Sequence, residues 1–356
     1  MESPKLLNAL EKWQALQPLS DADSARFNRR FTLDFNYNSN HIEGNTLTYG
    51  QAELLLLYGK VMGEADFQDY QEMKASDVSL KMMLAESKER THTLSQNFIR
   101  SLHRTLLRED YTVYRSLPGG ALTSCTIHDG QYKTRPNSVI TREGEVFEYA
   151  SPEETPALMT DLVDWYNEAE EVGELSPVEL AALFHYRYIR IHPFEDGNGR
   201  MARLLVNYIL SRHNYPMAVV RSRFKKKYLE ALHRTDLLVG PIPADGAHAP
   251  LKMLRPFLRY MTNLITEELE NDILFITEKN ENTWWYDGDR IAFRTTTYAK
   301  ILRELQAEPN ATLAYLQETV GINRSALQKM LSSLQTKGYI GRNGSGHWSV
   351  FITPSV

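Results

Sequence analysis

The sequence predicts a mainly α protein: a helical body carrying a small β-hairpin, followed by a C-terminal winged helix-turn-helix. Three observations carry that prediction. Through most of the first 275 residues apolar side chains recur three to four apart with few β-branched runs, the periodicity of helices that bury one face. Only 118–150 breaks the pattern, with glycines, prolines and alternating β-formers that read as an irregular loop bearing a short hairpin. Beyond 293, two short helical patterns meet at Gly321 and run into a glycine-tipped hairpin, "GRNGSGHWSVFI".

The elements follow in order. A helix is expected from about Asp21, with Phe27, Phe31, Phe35 and Ile42 near one face and Gly44 placed to end it. Thr48 and Gln51 form a capping-box pair before "AELLLLYG". Further helical patterns cover about 66–90, 95–108, 152–171, 177–191, 198–212, 224–239 and 249–275. Ser176 and Glu179 cap the fourth of these, with Pro177 at its first position. "ENTWWYDGDR", 281–290, reads as a connection to the C-terminal unit. Residues 1–95 then form an N-terminal helical region, 96–278 the core and 293–356 the winged helix.

With 356 residues, the chain is longer than one hydrophobic core usually supports, so more than one unit is expected. A net charge of −5 gives no global preference for nucleic acid or acidic membrane. The single cysteine, Cys125, excludes an internal disulfide and favours a reducing compartment. "MESPKLLNAL" lacks a signal-peptide core and no segment approaches the roughly 20 apolar residues of a membrane helix, so a soluble, cytoplasmic protein is expected with no membrane partner.

The chemistry concentrates in "HPFEDGNGR", His192 to Arg200. Pro193 ends the helix before it, and Gly197, Asn198 and Gly199 lead into the next. A glycine turn at a helix N-terminus offers backbone N–H groups to an anion. Arg200 and Arg203 add planar multidentate donors that suit an oligophosphate. Asp196 is a hard oxygen ligand of the kind magnesium shares with phosphates, and His192 is suited to abstract a proton near neutral pH. Together they describe phosphate transfer from a nucleotide to a hydroxyl. The turn lacks the Gly-Lys-Ser/Thr ending of a Walker loop.

The string resembles the Fic-domain signature His-x-Phe-x-(Asp/Glu)-Gly-Asn-Gly-Arg-x-x-Arg at every position, through Phe194 and Arg203. The resemblance implies a Fic-type helical core that uses ATP and Mg2+ to transfer AMP to a protein Ser, Thr or Tyr hydroxyl, releasing pyrophosphate. It makes His192 the general base, Asp196 the metal ligand, Phe194 an anchor of the loop, and Gly197, Asn198 and Gly199 the anion hole. Arg200 and Arg203 would hold the β- and γ-phosphates. Relatives that act as kinases carry Lys where Gly199 stands, so AMP transfer is expected. Gly130 to Ile140 resembles the Fic flap, with Tyr132, Thr134, Arg135 and Val139 as target-docking residues; self-modification and a homodimer are further expectations of the resemblance. Asn207 and Tyr228 lie in elements that line the nucleotide pocket in similar proteins and are as readily packing residues.

Upstream, with the helix ending at Gly44, Glu43 is expected in its last turn, where the dipole disfavours negative charge. "SNHIEGN" matches the family's inhibitory motif as Ser39, Glu43 and Gly44. By that resemblance Glu43 pairs with Arg203 and denies it to the γ-phosphate; in some similar proteins the same glutamate supports removal of AMP. A second reading is a nucleotide-sensing transcriptional regulator: Arg294, Lys300, Arg303, Arg324, Lys329, Lys337 and Arg342 mildly outnumber Glu304, Glu308 and Glu318, and a winged helix serves DNA binding or protein docking. A metal-dependent hydrolase fits less well, since the neighbourhood offers arginines and glycines in place of three zinc ligands.

Overall fold

The computed structural model describes residues 3–61, 65–116, 122–140, 146–308, 310–342 and 346–350. In chain order the elements are α1 Pro4–Ala15, α2 Asp21–Ile42, α3 Tyr49–Tyr58, α4 Phe67–Lys88, α5 Gln96–Leu107, β1 Tyr111–Ser116, β2 Leu122–Ile127, β3 Val139–Ile140, β4 Val146–Phe147, α6 Thr155–Val172, α7 Pro177–Ile191 and α8 Asn198–Arg212. They continue with α9 Lys225–Val239, α10 Pro243–Ala247, α11 Arg255–Thr277, β5 Thr283–Tyr286, β6 Asp289–Ala292, α12 Thr296–Ala307, α13 Leu313–Val320, α14 Arg324–Thr336, β7 Ile340–Arg342 and β8 Trp348–Val350. The expected mainly α class holds.

Two compact units result, each discontinuous in sequence. The first takes Met1–Pro18, Asn38–Glu43 and Ala75–Glu270. Its centre is the pair α7 and α8. Phe184, Tyr186 and Tyr188 on α7 and Met201, Leu205 and Tyr208 on α8 are fully buried. Helices apolar on nearly every side belong at the middle of a bundle, and this pair places the loop between them. Ser176 accepts from the N–H of Glu179 while the Glu179 carboxylate accepts from the N–H of Ser176, the expected capping box. Thr48 and Gln51 make the same reciprocal pair at α3.

The second unit takes Leu19–Tyr37, Gly44–Lys74 and Asn271–Val356. Its core includes Leu47, Ala52, Trp284, Leu302, Leu316, Leu327, Leu331 and Ile340. Thr312 caps α13, Gly321 ends it at φ 78°, and Asn323 caps α14. β7 and β8 pair antiparallel with Ile340 opposite Val350, completing the winged helix-turn-helix.

Three expectations need correction. "ENTWWYDGDR" is more than a connection: Asp287 and Gly288, at φ 44° and 78°, make a two-residue turn between β5 and β6, and the hairpin buries Trp284. An Asp-Gly pair between β-formers is a hairpin signal that outweighs the look of a linker. The β structure begins before the 118–150 break: β1 starts at Tyr111 and pairs with β2, and a second pair, β3 with β4, lies within it. The last long helix of the first 275 residues starts at Arg255, later than 249, because Pro250 precedes a short 3-10 turn over Leu251–Met253.

Candidate active site

The site is the six-residue turn between α7 and α8, His192–Gly197, together with what closes over it. Pro193 cannot continue α7, and His192 leaves the helix at φ 52° and ψ 60°, a left-handed cap. Its N–H still donates to the Tyr188 carbonyl at 2.9 Å. The imidazole stacks on the Tyr149 ring at 3.9 Å, and Nδ1 lies 3.3 Å from the Ile189 carbonyl oxygen. A carbonyl only accepts, so the proton sits on Nδ1 and Nε2 is left as the acceptor. Burial, then the charge of Lys133, pulls the His192 pKa down to about 4. The ring is therefore neutral at physiological pH, the form a base requires.

Phe194 is wholly buried, and the Asn198 side chain closes the turn on it: Oδ1 accepts from the Phe194 N–H at 3.0 Å and Nδ2 donates to the Phe194 carbonyl at 2.7 Å. Asn198 thus shapes the loop with its side chain and offers only its backbone N–H to an anion. Gly197 takes φ 77° at the N-cap of α8 and contributes no capping side chain, so the first-turn N–H groups, Gly199 among them, stay open toward an anion. Asp196 is about half exposed; burial raises its pKa, but Arg200, the Tyr111 hydroxyl and the Gly197 N–H outweigh that and hold it below the usual carboxylate range. An ionised carboxylate is a hard oxygen donor of the kind magnesium takes alongside phosphate oxygens. Among the described residues no group of three or more His, Cys, Asp or Glu gathers for a metal.

Arg203, one turn into α8, is buried and already engaged. Nε donates to Ser39 Oγ at 3.0 Å, and Nη2 donates to the Ser39 carbonyl at 2.8 Å and to Glu43 Oε1 at 2.6 Å. Glu43 lies just past the last turn of α2, which ends at Ile42 and not at Gly44 as expected, and Gly44 takes φ 106° behind it. Burial raises the Glu43 pKa, but the charge and hydrogen bond of Arg203 prevail, helped by Arg200 and Lys225, and keep it below the usual glutamate range. Gly199 is what lets the carboxylate so near: a Cβ there would lie 2.3 Å from Glu43 Oε1.

The flap residues are engaged within the site. The Tyr132 hydroxyl donates to Gln96 at 2.9 Å and its ring packs on Phe194; Thr134 Oγ1 donates to Glu195 at 3.1 Å, and Arg135 donates to the Thr126 carbonyl. Val139 lies in β3, paired with Phe147. Asn207 bridges Arg203 and Ala218, and Tyr228 hydrogen-bonds His185, so both pack.

Sequence reasoning missed the residues that lock the loop from the flap side. Lys133 is buried, with Nζ donating to the Ile191 carbonyl at 3.0 Å and to Asn137 at 2.9 Å, while Asn137 donates to the carbonyls of His192 and Phe194. Burial lowers the Lys133 pKa to about 8. His103 is fully buried and stacks on Phe194 at 3.6 Å. The Gly130 N–H donates to its Nδ1 at 2.9 Å, so the proton sits on Nε2 and goes to the Asp196 carbonyl, also at 2.9 Å. No local signal marks these residues; each makes sense only beside chain that is remote in sequence. His103→Phe keeps the stack but orphans a buried N–H and a carbonyl, and should lower stability by about 2 kcal/mol, read as a lower urea midpoint.

Among the histidines whose pKa burial lowers, His103 and His192 fall to about 4 and His185 to about 3. In the unfolded chain they titrate near 6.5, so between pH 6.5 and about 4 the unfolded state binds more protons and stability falls with pH. Glu53, raised to about 7, opposes this as one group. A fall in urea midpoint from pH 7 to 5.5 is expected, with each histidine contributing on the order of 1 kcal/mol; an unchanged midpoint would contradict the burial of these rings.

The helical hairpin sets first-turn N–H groups beside a neutral histidine, an arrangement suited to an anion such as phosphate. Residues 93–210 match the Fic/DOC family, and 299–340 match a winged helix-turn-helix described as DNA-binding. The crystal structure of a Fic domain containing signaling protein from Bacteroides thetaiotaomicron is 50% identical and superposes with a TM-score of 0.71, covering 78% of this chain and 100% of that one. The chain belongs to the Fic/DOC family. Fic-1 from C. elegans superposes with a TM-score of 0.58 at 25% identity over 76% of this chain and 71% of that one. Protein adenylyltransferase fic-1 of Caenorhabditis briggsae is 30% identical over 63% of this chain and 38% of its own length, so the chain spans well under half of that relative.

Proposed function

We propose that the protein transfers AMP from ATP to a protein hydroxyl, and that Glu43 holds it off. The observation that carries the reading is Arg203, which points a buried guanidinium into the phosphate cradle yet spends it on Glu43 at 2.6 Å. In the transfer, His192 Nε2 takes the proton of a Ser, Thr or Tyr hydroxyl. That oxygen attacks the α-phosphorus, the bond to the bridging oxygen breaks, and pyrophosphate leaves. The first-turn N–H groups of α8 with Arg200 and Arg203 hold the phosphates in line. Asp196 would hold Mg2+, which neutralises phosphate charge when bound. Lys133, Asn137 and His103 keep base and cradle in register, and the flap aligns an extended target segment. Removal of AMP through Glu43, as in some similar proteins, is a further activity of the same constellation.

The activity is supported by the adenylyltransferases that share the fold, and the inhibition by the ion pair. Incubated with ATP and magnesium, Glu43→Gly should gain the mass of AMP on itself or on an added protein, whereas His192→Ala should not; equal modification of both would refute the assignment.

A second reading concerns the winged helix, whose matched family is described as DNA-binding. Arg324 and Lys329 are exposed on α14, and the Arg342 guanidinium covers Trp348 at 3.8 Å. If this element binds DNA, affinity of the full chain for duplex should fall steeply as salt rises from 50 to 200 mM, and Arg324→Ala with Lys329→Ala should flatten that slope by about 2 in log–log terms. Indifference to DNA would leave a protein-docking role.

A further inference from the structure

In the first unit, the last turn of α9 and the turn into α10 present apolar side chains to water. Leu237 is 71% exposed, Leu238 55% and Ile242 56%. The backbone that carries them is held by a buried guanidinium. Arg190 donates from Nη1 and Nη2 to the Gly240 carbonyl at 3.0 and 3.1 Å, and from Nη2 to the carbonyls of Pro241 and Ile242 at 3.2 and 3.0 Å. The turn is thus fixed with its apolar side chains outward, and a rigid apolar projection loses little entropy when a partner covers it.

Charges of opposite sign lie on the two helices α9 and α6, and α10 packs against both. Between α9 and α11, Leu238 lines a groove of about 370 Å3 walled by Lys227, Arg234, Arg255 and Arg259. Its one acid, Glu230, is paired with Arg234, and among the described residues no carboxylate pairs with Lys227, Arg255 or Arg259. In a chain of net charge −5 this groove is a local exception.

The exposed face of α6 is the converse. Asp161, Asp164, Glu168 and Glu171 recur at three- and four-residue intervals, all of them exposed, and among the described residues none has a Lys or Arg partner. Asp161 lies 3.3 Å from His248 Nε2, at the C-cap of α10. Like charges at these intervals repel along a helix, and a cationic surface laid against them relieves that repulsion.

We infer that this face is an interface between two copies of the chain, with Leu237, Leu238 and Ile242 at its centre and the α6 stripe of each copy lying along the groove of the other. An isologous contact requires a surface complementary to itself, and here one unit carries an apolar centre and both signs of charge. An unrelated acidic protein would fit the groove and leave the α6 stripe unmatched; a second copy matches both at once. No step of AMP transfer uses these residues, so association and catalysis are separable.

The test is sedimentation velocity of the full chain from about 1 to about 100 µM, where a reversible monomer–dimer equilibrium is expected. Leu237→Glu, at an exposed position, should weaken the dimer at least about tenfold. Arg255→Glu with Arg259→Glu, and separately Asp164→Lys with Glu168→Lys, change only exposed side chains and should each give monomers, because groove and stripe then repel. An equal mixture of these two variants should recover the dimer, since both contacts again join opposite charges. A chain monomeric throughout the range, a dimer indifferent to Leu237→Glu or to the charge reversals, or reversed variants that stay monomeric when mixed would each overturn the interface.

Discussion

Replacing Glu43 with glycine is expected to raise AMP incorporation at least about tenfold, within the 5- to 150-fold that a coupling of 1–3 kcal/mol supports. The argument is one of exclusive occupancy. Arg203 is 4% exposed and can turn its Nη2 toward either a carboxylate or a phosphate, and in this structure the carboxylate has it at 2.6 Å. Because the Glu43 pKa is held low by Arg203, the lock stays ionised throughout the neutral range, and mild acid alone should not open it. Removing the carboxylate leaves Arg203 tied to Ser39 through two hydrogen bonds, so the helix contact persists while the charge is free for ATP. Glu43 is 40% exposed, and water replaces much of what the pair supplied. ATP with magnesium should therefore raise the melting temperature of Glu43→Gly more than that of the unaltered chain.

The second large effect is the loss of transfer in His192→Ala, measured in the Glu43→Gly background so that there is a rate to lose. A positioned general base contributes on the order of 10²- to 10⁴-fold. The structure prepares His192 for that role in three ways. Its backbone is held left-handed by Pro193, its tautomer is set by the Ile189 carbonyl, and its ring is held against Tyr149. ATP affinity should be little changed, because none of these contacts reaches the phosphate cradle. A variant that lost ATP binding in step with turnover would place His192 in nucleotide binding, against its assignment as base.

Much of this was legible in the chain. His192 to Arg203 is a local string, and a helix, a proline stop and a glycine turn are decided by neighbours in sequence, so the loop and its donors could be placed before any fold was seen. Glu43 was legible for a different reason: a carboxylate at the wrong end of a helix implies a cationic partner elsewhere. What the sequence hid was support from a distance. Lys133, Asn137 and His103 bond to backbone carbonyls and N–H groups of the loop and flap, and backbone partners leave no trace in residue type. Asn198 read as part of the anion hole, yet its side chain is spent on Phe194, a distinction between backbone and side chain that spacing alone cannot draw. The β5–β6 hairpin was available in Asp287 and Gly288 but was masked by the polar residues around them.

The central claim is that this site moves AMP and is shut by Glu43. The most direct test incubates Glu43→Gly with magnesium and ATP labelled either at the α- or at the γ-phosphate, and follows label retained by protein. The account predicts retention of the α label alone, and little of either label with the unaltered chain. Retention of the γ label, or equal α labelling with and without Glu43, would contradict it.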